Sequence, residues 1–219
     1  MNDKGCNILR QTPVVPVIRI EDVKTAVPLA QALVAGGITV LEVTLRTACG
    51  LEAISRIRGE VEGAIVGAGT VLNGFDLDNA LDAGSEFIIT PGLTSSLLKA
   101  GATCGVPFIP GVATASELMS CVDAGLNTLK FFPAEASGGV KTLKAFGGPF
   151  PDVHFCPTGG ISPANLADYL AVPSVLTVGG SWLAPDNLIA SNKWAEISRL
   201  AEETCALAAK IKATLNHSH

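Results

Sequence analysis

The sequence predicts an α/β fold in which parallel strands alternate with helices and close into a single (β/α)8 TIM barrel. Eight short apolar runs rich in β-branched residues recur at nearly even intervals, and helical periodicity fills the stretches between them. The length of 219 residues suits one barrel domain. The predicted strands are VVPVIRI (14–20), VLEVTLR (40–46), AIVGAGTV (64–71), EFIITPG (86–92), PFIPGV (107–112), NTLKFFP (127–133), VHFCPTGG (153–160) and SVLTVGG (174–180).

An open, doubly wound sheet would also alternate strands with helices. The even spacing of the runs favours the barrel, and so does the lack of G-x-G-x-x-G at the first strand–helix turn. We expect one domain over residues 1–219, with a lead-in segment at 1–12 and a frayed tail at 213–219. Thr114 and Glu117 have the spacing of a capping box, which predicts that a helix begins there.

The composition excludes several classes of partner. A net charge of −5 argues against binding to nucleic acid or to an anionic membrane surface. The six cysteines have no paired C-x-x-C spacing, which is typical of reduced thiols in the cytoplasm. No apolar run has the length of a membrane span, and the first residues lack the core of a signal peptide. We therefore expect a soluble cytoplasmic protein.

Lys130 is the lysine that lies in the middle of a predicted strand, between Leu129 and Phe131. Because side chains alternate across a strand, Lys130 and Phe132 are expected to face the barrel axis. Burial lowers the pKa of an amine and so increases the fraction of free, nucleophilic amine. Schiff-base chemistry with a keto substrate requires that form. The alternative is a structural lysine paired with a buried carboxylate.

Glu42 is the carboxylate in the interior of a predicted strand, and it shares its face with Thr44 and Arg46. A buried glutamate is suited to moving protons. A structural ion pair with Lys130 or Arg46 is the alternative for Glu42. Arg46 ends its strand and could bind a carboxylate in bidentate fashion, although a helix-capping or surface arginine would fit the same position.

Two Gly-rich strand ends predict a phosphate site. Barrels often bind phosphate with the loops after strands seven and eight, through backbone N–H groups. Here those ends are Pro157-Thr158-Gly159-Gly160 and Val178-Gly179-Gly180-Ser181. Arg19 ends strand one, beside strand eight in a closed barrel, and could add positive charge to that site.

Six motifs cover nearly every predicted strand, in order: LEVTLRT (41–47), GAGTVLN (67–73), PGLT (91–94), LKFFPAE (129–135), CPTGGISPAN (156–165) and GGSWL (179–183). In these motifs the chain resembles the 2-keto-3-deoxy-6-phosphogluconate (KDPG) and 4-hydroxy-2-oxoglutarate (KHG) aldolases, class I lyases of the Entner–Doudoroff pathway. The resemblance implies homotrimers of (β/α)8 barrels that need no metal or other cofactor. It also implies cleavage of KDPG to pyruvate and glyceraldehyde 3-phosphate, and of KHG to pyruvate and glyoxylate.

The resemblance implies a role for individual positions. Lys130 matches the Schiff-base lysine, and Glu42 matches the residue that moves protons. The remaining matches concern substrate binding: Arg46 and Thr70 for the pyruvyl carboxylate, Pro91 and Phe132 for the pyruvyl pocket, Thr158 for hydroxyl stereochemistry, and Gly159, Gly160 and Ser181 for the phosphate.

Four other functions stay open at this point. An aldolase for the galactonate epimer of KDPG would share the whole site. A metal-dependent aldolase is disfavoured, because the three histidines are His154, His217 and His219 and the last two lie in the tail. A phosphosugar isomerase or epimerase would not require Lys130. A catalytically silent scaffold would not explain Glu42, Arg46 and Lys130 together.

Overall fold

The computed structural model describes residues 4–216. Every predicted run contains a strand, and all the pairs that the strands form are parallel. The fifth run contains two short strands, because Pro110 interrupts the pairing between them. The strands are β1 (Val14–Ile18), β2 (Val40–Thr44), β3 (Ile65–Gly69), β4 (Ile88–Ile89), β5 (Phe108–Ile109), β6 (Gly111–Val112), β7 (Thr128–Phe131), β8 (His154–Pro157) and β9 (Val178–Gly180).

Helices precede the first strand and follow every predicted run, and most of them pack on the outer side of the strands. The predicted capping box is confirmed: the Thr114 hydroxyl accepts a hydrogen bond from the Glu117 N–H, and the Glu117 carboxylate accepts one from the Thr114 N–H. The helices are α1 (Lys4–Leu9), α2 (Ala26–Ala35), α3 (Gly50–Glu60), α4 (Gly74–Asp82), α5 (Ser95–Gly101), α6 (Ala115–Asp123), α7 (Gly139–Phe146), α8 (Leu166–Leu170), α9 (Asp186–Ala190) and α10 (Trp194–Asn216).

The strands form a six-stranded curled sheet, in the order β5-β4-β3-β2-β1-β9, and a three-stranded sheet, β6-β7-β8. The two sheets share the fifth run, since β5 pairs with β4 while β6 pairs with β7. Isolated parallel bridges join Phe155 to Val175 and Thr158 to Gly179, between β8 and the eighth run. The architecture is therefore a parallel-strand α/β fold whose strands curl round a common interior.

Alternating side chains divide the core into two parts. Residues on the outer strand faces pack against the helices in one large apolar cluster. A smaller cluster, which we call the plug, fills the interior from the side of α1. Its buried members are Leu9, Val15, Val40, Phe87, Ile89, Ile109, Cys156 and Leu176.

The described residues cover part of both predicted end segments. Within the lead-in segment 1–12, residues Lys4–Leu9 are helical and Leu9 is buried in the plug. The last helix continues to Asn216, so residues 213–216 of the predicted frayed tail are helical. Residues 1–3 and 217–219, including His217 and His219, lie outside the described residues.

The described residues also bear on the cysteines and on membrane spans. Each of the six cysteines is a free thiol. Over residues 4–216, no helix combines the length and the apolar character needed to cross a membrane.

Candidate active site

The Lys130 amine and the Glu42 carboxylate meet in the interior of the fold, on β7 and β2. Nζ donates a hydrogen bond to Oε1 over 3.2 Å. The two residues are 5% and 1% exposed, so the pair is shielded from solvent. The neighbours of Lys130 along the strand, Leu129 and Phe131, belong to the outer cluster. The alternation along β7 therefore turns Lys130 inward, as the sequence predicts.

A glycine on the neighbouring strand leaves the space that the Glu42 carboxylate occupies. Glu42 pairs in register with Gly67, and Thr44 pairs with Gly69. A Cβ atom at Gly69 would overlap the side chain of Glu42, including Oε1. Thr44 is buried on the same face as Glu42 and donates its hydroxyl to the Ile18 carbonyl over 2.8 Å. Close approach of a side chain is one reason for a glycine inside a strand.

Phe132 and Cys156 surround the Lys130 amine on two sides. Nζ lies 5.2 Å from the centre of the Phe132 ring, within the range of a cation–π contact. Cys156 pairs in register with Lys130 on β8. Burial raises the pKa of the Cys156 thiol to about 12, while the nearby positive charge of Lys130 acts in the opposite direction. The thiol therefore stays neutral beside the pair.

A cavity of about 170 Å³ opens at the carboxyl ends of the strands and brings together most of the predicted binding residues. Arg46 lies at its rim with an exposed side chain. Phe132 belongs both to this lining and to the surroundings of Lys130, which links the cavity to the amine. The lining consists of Val17, Arg46, Phe132, Thr158, Gly159, Gly160, Ile161, Gly179, Gly180 and Ser181.

The two Gly-rich strand ends lie side by side in this cavity. Thr158 bridges to Gly179, where a Cβ atom would overlap the Thr158 hydroxyl. Gly159 and Gly160 have φ angles of 104° and 78°, which favour glycine. Within residues 4–216, the N–H groups of Gly160 and Ile161 donate to no protein acceptor. Such free N–H groups can bind an anion.

Thr70 and Pro91 lie at the ends of β3 and β4, outside the lining of this cavity. Thr70 has a φ of 60°, a conformation that is strained for a β-branched residue and is frequent at functional sites. The backbone of Pro91 packs so closely on Gly111 that a Cβ atom there would overlap it. Gly111 is in register with Lys130. Thr70 thus follows the strand beside β2, whereas the fifth run lies between the strand end of Pro91 and β7.

Arg19 lies apart from the Gly-rich ends. Its guanidinium pairs with Glu21 and lies 3.9 Å from Asp186. These residues line a different cavity, of about 350 Å³. Two carboxylates already balance this cation, so Arg19 is not free to add its whole charge to a phosphate site.

Four residues of the site escaped prediction from the sequence. Val17 and Ile161 line the cavity, Cys156 faces the pair, and Gly69 accommodates Glu42. Two of them carried a signal: Gly69 is a glycine within a strand, and Cys156 shares the strand face of Thr158. The contribution of Val17 follows from its register with Glu42, which only the paired strands reveal.

Comparison with known protein families gives a match over most of the chain. Residues 6–200 match the family described as "KDPG and KHG aldolase". The chain belongs to this family. The KHG/KDPG aldolase of Escherichia coli strain K12 is 57% identical over 197 residues, which are 90% of this chain and 92% of the relative.

Solved structures of KDPG aldolases share the fold of this family member. The enzyme of Legionella pneumophila, with pyruvate captured at low pH as a covalent carbinolamine intermediate, superposes with a TM-score of 0.91 at 44% identity. That alignment covers 94% of this chain and 100% of the other. The enzyme of Zymomonas mobilis ZM4 with 3-phosphoglycerate gives a TM-score of 0.88 at 48% identity, over 94% and 97% of the two chains.

The geometry of this aldolase family member suits covalent chemistry on a ketone. A buried amine lies beside a proton acceptor, and an adjacent cavity offers an arginine and free N–H groups to an anionic substrate. Among residues 4–216, no three His, Cys, Asp or Glu residues group closely enough to hold a metal ion.

Proposed function

We propose that this class I aldolase cleaves KDPG to pyruvate and glyceraldehyde 3-phosphate through a Schiff base on Lys130. The observation that carries the proposal is the buried Lys130–Glu42 pair, with Nζ and Oε1 3.2 Å apart beside the Gly-rich cavity. The carbinolamine captured in the Legionella relative supports covalent capture of pyruvate in this family.

We infer that the eight runs form one closed (β/α)8 barrel over the whole chain. The fifth run pairs with both of its neighbours, on either side of Pro110, and this joins the two sheets at one seam. The bridges Phe155–Val175 and Thr158–Gly179 support closure at the other seam. In a barrel of this kind the carboxyl ends of the strands form the active site.

The first chemical step is addition of the Lys130 amine to the C2 ketone of the substrate. The lone pair of Nζ forms the new N–C2 bond, and Glu42, which already accepts a hydrogen bond from Nζ, takes up the proton that the amine must lose. Glu42 passes the protons that the nitrogen loses to the C2 oxygen, the carbinolamine loses that oxygen as water to become a protonated imine, and Glu42 is again a carboxylate. The positive nitrogen is the electron sink for the next step.

Cleavage breaks the C3–C4 bond. Glu42 takes the proton of the C4 hydroxyl, directly or through a water molecule, and C4 leaves as the aldehyde of glyceraldehyde 3-phosphate. The electron pair of the broken bond moves into the imine and gives an enamine. Glu42 returns a proton to C3, and water hydrolyses the resulting imine to release pyruvate and the free amine.

The substrate spans the cavity between the pair and the Gly-rich ends. Arg46 and Thr70 bind the pyruvyl carboxylate, Pro91 and Phe132 form the apolar wall of the pyruvyl pocket, and Thr158 contacts the C4 hydroxyl. The N–H groups and hydroxyl of the Gly-rich ends hold the phosphate. That site consists of Gly159, Gly160, Gly179, Gly180 and Ser181.

A trapping experiment tests the assignment of Lys130. Incubation with pyruvate and borohydride should reduce the imine to a stable adduct, which peptide mass spectrometry should locate on Lys130. Lys130→Met should abolish the adduct and lower kcat/KM for KDPG by at least about 10⁴-fold. Lys99→Met, at an exposed lysine of α5, is the matched control. An adduct on another lysine would refute the mechanism.

Glu42→Gln tests the proton transfer separately. Its side chain keeps the size of glutamate but does not take up a proton, so kcat should fall by about 10²–10⁴-fold. Pyruvate should still form an adduct on Lys130, more slowly. If kcat stays within a factor of three of the wild type, Glu42 has only a structural role.

The substrate range follows from the same site. KHG lacks the phosphate but contains the pyruvyl half, so the enzyme should also cleave it to pyruvate and glyoxylate. The galactonate epimer of KDPG differs at one stereocentre, and the contact with Thr158 governs that choice. Measuring kcat/KM for the three substrates ranks them.

We also propose a metal-independent, cytoplasmic homotrimer. Leu72 and Phe75, three residues apart in the chain, are exposed apolar side chains, and a second copy would cover such residues. Ultracentrifugation should give three times the chain mass, and EDTA should leave the activity unchanged. A monomer, or loss of activity with EDTA, would refute the respective part.

A further inference from the structure

The segment after β7 is fastened to the first Gly-rich strand end. The Ala134 N–H donates to the Thr158 carbonyl over 2.8 Å, and the Glu135 N–H donates to the Gly159 carbonyl over 3.1 Å. These bonds continue the parallel pairing of β7 with β8 beyond both strands. Glu135 is thereby fixed directly behind Gly160.

The carbon stem of Glu135 packs against Gly160. A Cβ atom at Gly160 would lie 2.5 Å from Cγ and 2.8 Å from Cβ of Glu135, but 4.0 Å from the carboxyl carbon. The stem therefore touches the loop, while the carboxylate points away from it. This contact and the φ of 78° both require glycine at position 160.

The Glu135 carboxylate is held on the outer side by Tyr169. The Tyr169 hydroxyl, on α8, donates a hydrogen bond to Oε1 of Glu135. Tyr169 is 1% exposed, so its ring fixes the position of the donor. Both residues line an outer cavity, separate from the one that contains the Gly-rich ends.

Tyr169 remains protonated over the working pH range. Burial raises the pKa of its hydroxyl above the usual value, and the hydrogen bond and the charge of Glu135 raise it further. The hydroxyl is therefore a permanent donor to the carboxylate.

Asn165 holds the loop from a second direction. Its side-chain amide donates to the Gly160 carbonyl over 3.1 Å, and its side-chain oxygen accepts from the Ser162 N–H over 2.9 Å. Gly160 is thus held by its carbonyl and by the stem behind it, which leaves its N–H free toward the cavity.

We propose that Glu135, held by Tyr169, is a positioning residue that fixes the Gly159–Gly160 loop for the substrate phosphate and keeps its own carboxylate away from that phosphate. The proposal rests on the proposed function, because it assigns the phosphate to this loop. It makes the Glu135–Tyr169 pair a determinant of preference for phosphorylated over unphosphorylated substrates.

The physical reason is that the loop needs the stem of Glu135 but not its charge. A carboxylate free to rotate toward a bound phosphate dianion would repel it at short range. The hydrogen bond from Tyr169 holds the charge in the outer cavity. Tyr169→Phe removes this restraint and keeps the packing of the ring.

The test compares a phosphate-dependent readout with a phosphate-free one. For Tyr169→Phe we expect KM for KDPG to rise roughly three- to tenfold, the range for loss of one hydrogen bond to a charged group. The pyruvate concentration for half-maximal borohydride trapping should change by a factor at least three times smaller than the change in KM for KDPG. Inhibition by inorganic phosphate should weaken in parallel with KM.

Rescue separates the charge from the stem. The double variant Glu135→Gln with Tyr169→Phe retains the stem but has no carboxylate, so KM for KDPG should return to within about twofold of the wild type if charge repulsion is the cause. Asp168→Asn is the matched control, because Asp168 lines the same outer cavity on α8 without contacting Gly160. Asp168→Asn should leave KM for KDPG and the half-maximal pyruvate concentration within twofold of the wild-type values.

Each other outcome overturns the proposal. Equal effects of Tyr169→Phe on KDPG and on pyruvate trapping would indicate general destabilisation, and no effect on KM would show that the loop needs no such restraint. If the double variant is not rescued, the charge argument is wrong. If the proposed function itself is wrong, the result is distinguishable, because the wild-type protein would then neither cleave KDPG nor form an adduct on Lys130.

Discussion

The two ends of the strand interior carry opposite chemistry on the same strands. Toward the amino-terminal ends, the plug packs apolar side chains against Leu9 of α1. Toward the carboxyl ends, the interior holds the Lys130–Glu42 pair and opens into the Gly-rich cavity. On β2 the interior changes from apolar to charged within two residues, because Val40 belongs to the plug and Glu42 belongs to the pair.

This difference shows how the fold separates stability from chemistry. Buried apolar area stabilises the interior, whereas a buried ion pair contributes little net stability and is costly to break. Glycines concentrate near the pair and in the cavity, where they allow close approach of side chains and free N–H groups. Variants in the plug should therefore change stability, and variants near the carboxyl ends of the strands should change kinetics.

The largest expected effect is in the plug. Leu9→Ala removes a fully buried side chain and leaves a cavity, so the free energy of unfolding should fall by about 2–5 kcal/mol. The kcat of the folded variant at 25 °C should stay within a factor of two, because the pair is untouched. Urea unfolding and steady-state kinetics measure the two quantities.

Met119→Ala is the matched control for this prediction. Met119 is 63% exposed, so its truncation to alanine should cost less than about 0.5 kcal/mol. A loss of kcat in Leu9→Ala that matches its loss of stability would show that plug and site are not separable.

An intermediate effect is expected at Gly69, which lies at the carboxyl end of β3. Gly69→Ala places a methyl group where the Glu42 carboxylate lies, and the carboxylate must move away from Nζ of Lys130. Displacing a catalytic group by about 1 Å can cost roughly 10²-fold, so kcat/KM should fall by about 10- to 100-fold. The midpoint of thermal unfolding should change far less than in Leu9→Ala.

Gly59→Ala controls for the backbone effect of the same substitution. Gly59 is within α3, and apart from its chain neighbours and the backbone of its own helix, no atom lies within 4 Å of a Cβ atom there. Alanine should therefore stabilise the helix by about 0.5–1 kcal/mol and leave kcat/KM unchanged. Unchanged kcat/KM in Gly69→Ala would show that the position of Glu42 is not critical.

The smallest effect concerns Cys156, at the boundary between the two regions. Its pKa is raised from 9.0 in the unfolded chain to about 12 in the folded one. The stability due to the neutral thiol is fully present below pH 9, and it is lost as the pH rises from about 9 toward 12. At pH 10 the loss should be roughly 1 kcal/mol.

Urea unfolding of the wild type and of Cys156→Ala at pH 7 and pH 10 measures this term. The variant should lose less stability than the wild type between the two pH values. An equal loss in both proteins would mean that the Cys156 thiol does not contribute to the alkaline destabilisation.

Much of the fold follows from local patterns in the sequence. Each predicted run contains a strand because β-branched apolar residues suit a buried strand, and the Thr114 capping box forms because its hydrogen bonds span only three residues. The break at Pro110 and the helical continuation to Asn216 were not predicted. The first depends on which strand each half pairs with, a relation that residue order does not contain.

The site shows the same division. Alternation alone turned Lys130 and Glu42 toward the interior, and the glycine pairs marked the strand ends that form the cavity. The pairing of Arg19 with Glu21, the space that Gly69 leaves for Glu42, and the contact of Tyr169 with Glu135 were not predicted. Glu135 lies in the segment after β7 and Tyr169 lies in α8, and no sequence periodicity relates the two positions.

The sequence by itself determined which residues are strands, which of their faces is polar, and that a single lysine and a single glutamate lie on the inner faces. Only the tertiary structure decided that these two groups are 3.2 Å apart, and that a tyrosine on α8 turns the Glu135 carboxylate away from the Gly-rich loop. The physical reason is one of range. Side-chain direction repeats every two or four residues, whereas the distance between two side chains depends on the register of strands that are far apart in the chain.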